Sequence, residues 1–115
     1  MNTEDHMFGI TLMNGITIVE VGGELIVGNR QQLKDTVLER LDSGDRQFLI
    51  DFTASSYIDS SGLGVLVSLS KKIREVGGAL KLAGLNEDLR TLFELTKLDT
   101  LFQIADTRAR AIGEF

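Results

Sequence analysis

At 115 residues the chain is the size of one domain, 1–115, and its 43% apolar content suits a single buried core rather than a disordered segment. Its formal charge of −5 argues against nucleic acid or an anionic membrane as direct partners, since both reward a basic face; it permits a partner with a basic patch. Without cysteine there is neither a disulfide framework nor a thiolate metal site, and the lack of a long apolar run or a basic leader makes the cytoplasm the expected compartment.

Residues 1–6 are polar and read as a frayed tail. Phe8–Met13 and Ile16–Val21 alternate in part and flank Asn14-Gly15, a strong hairpin signal. Gly22-Gly23 bends the chain, and residues 24–27 read as a further short strand. Asn29 is placed to cap a helix over Arg30–Asp42, where Leu33, Val37, Leu38 and Leu41 form one apolar stripe and Gly44 lies near the end.

The next stretch organises the rest. Phe48, Leu49, Ile50 and Phe52 form a short apolar run, as in a strand covered on both faces. A polar loop follows, and Ile58 stands before Asp59 where a hydrophobic staple would sit. Asp59 and Ser60 are both good cap residues for a helix starting near Asp59-Ser60-Ser61-Gly62. Val65, Leu66, Leu69, Ile73 and Val76 then recur at helical spacing until Gly77-Gly78. Ala79–Ala83 reads as another strand, and Asn86 as the cap of a helix through Thr96. Residues 101–104 look like a last short strand, and Asp106 or Thr107 opens a terminal helical turn. Strands alternating with helices indicate parallel pairing with right-handed crossovers, and the opening hairpin makes the sheet mixed. The expected fold is α/β: one mixed sheet of four to five strands with an N-terminal hairpin, covered by three to four helices.

Chemistry concentrates in the helix entrance at Asp59, Ser60 and Ser61. Such an entrance offers unpaired amides and the positive end of the helix dipole, so it accommodates an anion, including a phosphate carried by one of its own serines. Simple capping by Asp59, Ser60 and Ser61 is the competing reading. A serine hydrolase fits poorly, because a nucleophile elbow needs glycines two residues either side of the serine. Asp59 and Leu63 occupy those positions around Ser61, and the only histidine, His6, lies in the tail. No phosphate loop is present, and Gly62-Leu63-Gly64 lacks the third glycine of a dinucleotide fingerprint, so no cofactor is expected. Asp51 and Asp59 read as a strand end and a helix cap rather than a metal site. On the helix after the turn, Leu63 and Val67 fall off the centre of the apolar stripe. Either the stripe is wide and buried against the helix that Asn86 caps, or an apolar patch lies open beside the turn. Lys71, Lys72 and Arg74 read as a solvated face.

The run IDSSGLGVLVSLSKKIREVGGALKLAGLNEDLRTLFELTKLDTLFQI resembles the core of STAS domains, in particular the bacterial anti-sigma factor antagonists. The matching features are the strand ending in Asp51, the Asp-Ser-Ser-Gly-Leu-Gly turn, the Gly-Gly stop, and the spacing to Leu98 and Phe102, over residues 16–107. The resemblance implies that Ser61, with Ser60 as second choice, is phosphorylated by an anti-sigma factor that is also a serine kinase and ATPase. It implies that a serine phosphatase reverses the step and that the protein is no enzyme. The unphosphorylated form would bind the anti-sigma factor and free a sigma factor, while phosphorylation, with little change in fold, would switch binding off. Glu24, Asp59, Ser60, Ser61, Gly62, Leu63 and Val67 are the residues expected to meet the partner. Antagonists of this type often carry Gly-Glu-Leu-Asp, where this chain has Gly23-Glu24-Leu25-Ile26. That departure leaves room for a constitutive STAS interaction module, as in a stress complex or a transporter accessory, without a phosphorylation cycle.

Overall fold

A computed structural model describes residues 8–115; the polar tail and His6 lie outside them. β1 (Phe8–Met13) and β2 (Ile16–Val21) form an antiparallel hairpin in register from Phe8 opposite Val21 to Met13 opposite Ile16. Asn14 (φ 54°) and Gly15 (φ 77°) supply the two positive φ angles that a tight hairpin turn of matching twist requires. β4 (Gln47–Asp51), β6 (Ala79–Ala83) and β7 (Gln103–Ala105) then add in parallel, giving the order β1-β2-β4-β6-β7. Among the described residues the fold is therefore α/β with a mixed five-stranded sheet and four α-helices: α1 (Arg30–Asp42), α2 (Ser60–Glu75), α3 (Glu87–Leu95) and α4 (Arg108–Gly113).

Alternation along β4 explains its unbroken apolar run. Phe48 and Ile50 enter the main core with Leu33 and Val37 of α1, Leu66 and Leu69 of α2, and Phe93 of α3. Leu49 points the other way, into a smaller cluster with Ile16, Ile18 and Ala111 of α4. Three helices thus cover one face and α4 the other, so Phe48 through Asp51 are all buried while Gln47 at the start of the strand is exposed.

Several boundaries differ from expectation. The polar loop after β4 contains a strand, β5 (Ser55–Ile58), and the strand expected at 24–27 is β3 (Gly23–Leu25). The two pair in parallel as a separate two-stranded sheet with one irregularity between Gly23 and Glu24. The Ser55 hydroxyl donates to the Val21 carbonyl at 2.6 Å, which joins this small sheet to the end of β2. The last strand lies two residues later at its start than expected, because a 3-10 turn, Leu98–Thr100, occupies the chain just before it. Asn29 stands at the N-cap of α1 as expected, but its side chain makes no cap bond: its Oδ1 accepts from the Ile26 N–H (2.9 Å) and its Nδ2 donates to the Glu24 carbonyl (2.7 Å), bracing the loop. Asn86 does cap α3, accepting from the Leu89 N–H at 2.8 Å, and Thr107 rather than Asp106 caps α4. No helix among the described residues is long and apolar enough to cross a membrane.

Candidate functional site

The turn into α2 is held by β3 from below. Asp59 donates its N–H to the Leu25 carbonyl (3.1 Å), so the small sheet delivers the chain to the helix in a defined place. Gly62 then presses on that same carbonyl: a Cβ there would lie 2.6 Å from the Leu25 oxygen and 2.9 Å from Cγ2 of Ile58. Only a residue without a side chain lets α2 start this close to β3.

Asp59 is the hub. Its Oδ1 accepts from the Gly62 N–H (2.8 Å) and from the Ser61 hydroxyl (2.6 Å), while Oδ2 accepts from the Val27 N–H (3.1 Å). One carboxylate therefore caps α2, fixes the Ser61 rotamer and pins the loop after β3. The Ser61 hydroxyl, then the Gly62 and Val27 amides, hold its carboxyl below the usual aspartate range, with only partial opposition from desolvation.

The sequence-predicted residues divide by exposure. Ser60 is exposed and Ser61 half-buried. Glu24 is exposed and lies opposite Tyr57, itself exposed, in the β3–β5 register. Leu63 is only 8% exposed and belongs to the main core, so it supports the turn from beneath and offers little surface. Val67 is 36% exposed, one helical turn beyond exposed Gly64 on the side that Ser60 begins. The wide-stripe reading thus describes Leu63, and the open-patch reading describes Val67. Gly62 is buried, and its role is close packing. Lys71, Lys72 and Arg74 are exposed.

Two exposed apolar side chains escaped sequence reasoning: Val27, whose amide Asp59 holds, and Tyr57 on β5. No sequence signal marks either, since each stands beside an isoleucine, Ile26 or Ile58, with no pattern that tells the exposed residue from its neighbour. A groove of about 420 Å³ opens beside the turn, with Tyr57, Asp59 and Ser60 on one side and Asp88, Leu89 and Leu92 of α3 on the other.

Asp51 is committed elsewhere. Its Oδ1 accepts from the Thr53 N–H (2.9 Å) and hydroxyl (2.6 Å), and Oδ2 faces Arg108 of α4 at 3.5 Å. Arg108 also donates to Glu20 at 2.5 Å, so it fastens α4 to the ends of β2 and β4. Among the described residues no three histidine or carboxylate side chains converge as metal ligands.

Comparison with known proteins places this geometry in context. The model of the STAS domain matches residues 10–111. The anti-sigma-B factor antagonist of Bacillus subtilis is 34% identical over 87 residues, which span 76% of this chain and 79% of that protein. The crystal structure of TM1081 from Thermotoga maritima superposes with a TM-score of 0.89 at 30% identity, covering 98% of this chain and 97% of its own. Bacillus SpoIIAA, solved in unphosphorylated and phosphorylated forms, shares the fold at a TM-score of 0.74 and 20% identity, over 93% of this chain and at least 96% of its own.

Proposed function

The chain belongs to the STAS domain family, and we propose that it is an anti-sigma factor antagonist whose binding is switched by phosphorylation at Ser61. In this reading the unphosphorylated protein docks on a cytoplasmic anti-sigma factor that is also a serine kinase, and so frees a sigma factor. The kinase transfers the γ-phosphoryl of ATP to Oγ of Ser61, the hydroxyl proton leaving, and a serine phosphatase hydrolyses the ester. The chain contributes the acceptor and the docking surface, and no catalysis of its own.

The observation that carries this reading is the Ser61 hydroxyl at the start of α2, held at 2.6 Å by the carboxylate that caps the helix. Its neighbours Ser60, Glu24, Tyr57 and Val67 give the turn an exposed surround on which a partner can rest. Relatives that are anti-sigma-B factor antagonists support the same assignment. Phosphorylation removes the proton that Asp59 accepts and adds a charge of about −1.5 to −2 beside it. Asp59 then loses one of its bonds, while the Gly62 and Val27 amides still hold it, so the change stays local. At a docked interface each unit of that charge costs about 1–3 kcal/mol at about 5 Å from a partner carboxylate. Two such units suffice to lower affinity by more than tenfold.

The test is incubation of the protein with its anti-sigma factor and ATP, mapping of the phosphate by mass spectrometry, and titration of Ser61→Ala and Ser61→Asp against the same partner. Phosphate on Ser61, tight binding by Ser61→Ala and at least tenfold weaker binding by Ser61→Asp are expected. Equal affinity of the three proteins, with the turn unmodified, refutes the switch and leaves the constitutive interaction module. The stretch Gly23-Glu24-Leu25-Ile26, with isoleucine where such antagonists often carry aspartate, is the feature that favours that second reading.

A further inference from the structure

β1 is an end strand of the five-stranded sheet, paired with β2 on one side and, among the described residues, with nothing on the other. Edge strands are ordinarily kept from pairing with a second chain by charged side chains, proline, a bulge or shortness. β1 has none of these. It is six residues long, FGITLM, without a charge or a proline, and its register against β2 is unbroken. The opposite end strand, β7, has only three residues.

Three side chains along this edge are apolar and open. Ile10 (42% exposed) and Leu12 (61%) stand on the face that carries α1 and α2, since Ile10 is opposite the core residue Val19. Met13 (44%) stands on the other face, opposite Ile16. Charge selects the occupant. The chain has 17 acidic and 12 basic residues, so two copies meeting at random set like charges against each other. Along β1 they set none. The nearest charge on β2, Glu20 opposite Gly9, is already neutralised by Arg108 at 2.5 Å.

We propose that the chain self-associates through β1, which pairs antiparallel with β1 of a second copy to continue the sheet across both. An isologous contact must be self-complementary about a two-fold axis, and an antiparallel strand pair satisfies this directly. With Thr11 on the axis, Ile10 of each copy lies opposite Leu12 of the other on the same face, and Gly9 lies opposite Met13. The unpaired amides and carbonyls of the edge become a ladder, and the exposed apolar strip is covered. β1 contributes no residue to the groove beside Ser60, so the pairing leaves that lining unchanged.

Sedimentation of the full chain from about 10 μM to about 1 mM tests this. The mass should rise with concentration toward twice the monomer and should not fall in high salt, because no charges hold the contact. Leu12→Lys, at a solvent-exposed position, should weaken association by about tenfold or more without lowering the melting temperature. Thr11→Cys, in a chain with no other cysteine, should cross-link to a dimer under oxidation. A monomer throughout the range, or a Leu12→Lys protein that associates like wild type, overturns the proposal. If Leu12→Lys fails to fold, Thr11→Cys decides alone, and absence of the cross-linked dimer refutes it.

Discussion

Two glycines in the first turns of α2 should respond in opposite directions to the same change. Gly62→Ala gains about 1 kcal/mol of helix propensity but places a methyl group 2.6 Å from the Leu25 carbonyl oxygen. An ordinary carbon–oxygen contact is about 3.3 Å or more, so α2 or β3 must move by about 0.7 Å. The carbonyl cannot simply turn away, because it accepts the Asp59 N–H at 3.1 Å. Overpacking against fixed backbone costs about 2–3 kcal/mol, leaving a net loss of about 1–2 kcal/mol. For a domain of this size that lowers the melting temperature by about 4–8 °C. Gly64→Ala meets nothing within 4 Å and keeps only the propensity gain, a rise of about 2–4 °C. Urea unfolding of the two variants with unchanged m values measures both effects. If Gly62→Ala is as stable as wild type, or both variants shift the same way, close packing of Gly62 on the Leu25 carbonyl is refuted.

Other outcomes follow from the charge networks. Asp59 and Asp45 both have lowered pKa values, Asp59 chiefly through the Ser61 hydroxyl and Asp45 chiefly through the Thr17 hydroxyl. A depressed carboxyl contributes stability above its unfolded pKa of about 4 and loses it as pH falls through the lower folded value. Asp59→Asn should therefore lower the melting temperature at neutral pH and flatten its fall below about pH 4, where the two proteins converge; an unaltered acid limb would dismiss the hub role of Asp59. Arg108→Ala leaves Asp51, whose side chain is 6% exposed, with Thr53 alone. It should cost about 1–2 kcal/mol and raise hydrogen exchange in α4 before the rest of the domain; uniform exchange would show that Arg108 does not fasten α4.

The site was partly legible in the chain. Asp59 as cap and Ser61 in the first turn are local features, decided within four residues, and the structure places both as read. β5 was not legible, because Ser55 and Ser56 look like loop residues until Val21 accepts the Ser55 hydroxyl and β3 arrives to pair. Those contacts join residues about thirty positions apart, and no window of neighbouring residues contains them. Leu63 and Val67 show the same limit. Both lie off the helix stripe, yet one is in the core and the other at the surface, because on that flank of α2 burial takes in Leu63 and leaves Val67 open.

By itself the sequence determined what depends on short-range spacing: the Asn14-Gly15 turn, the alternation of strands and helices, the apolar run of β4, and the serine pair at a capped helix entrance. Only the tertiary structure decided that one carboxylate joins that entrance to the Val27 loop, that Gly62 seats α2 on β3, and that β1, among the described residues, keeps an open, uncharged edge. Each of these is set by where distant segments meet, and that is fixed by burial of the whole core rather than by any local pattern.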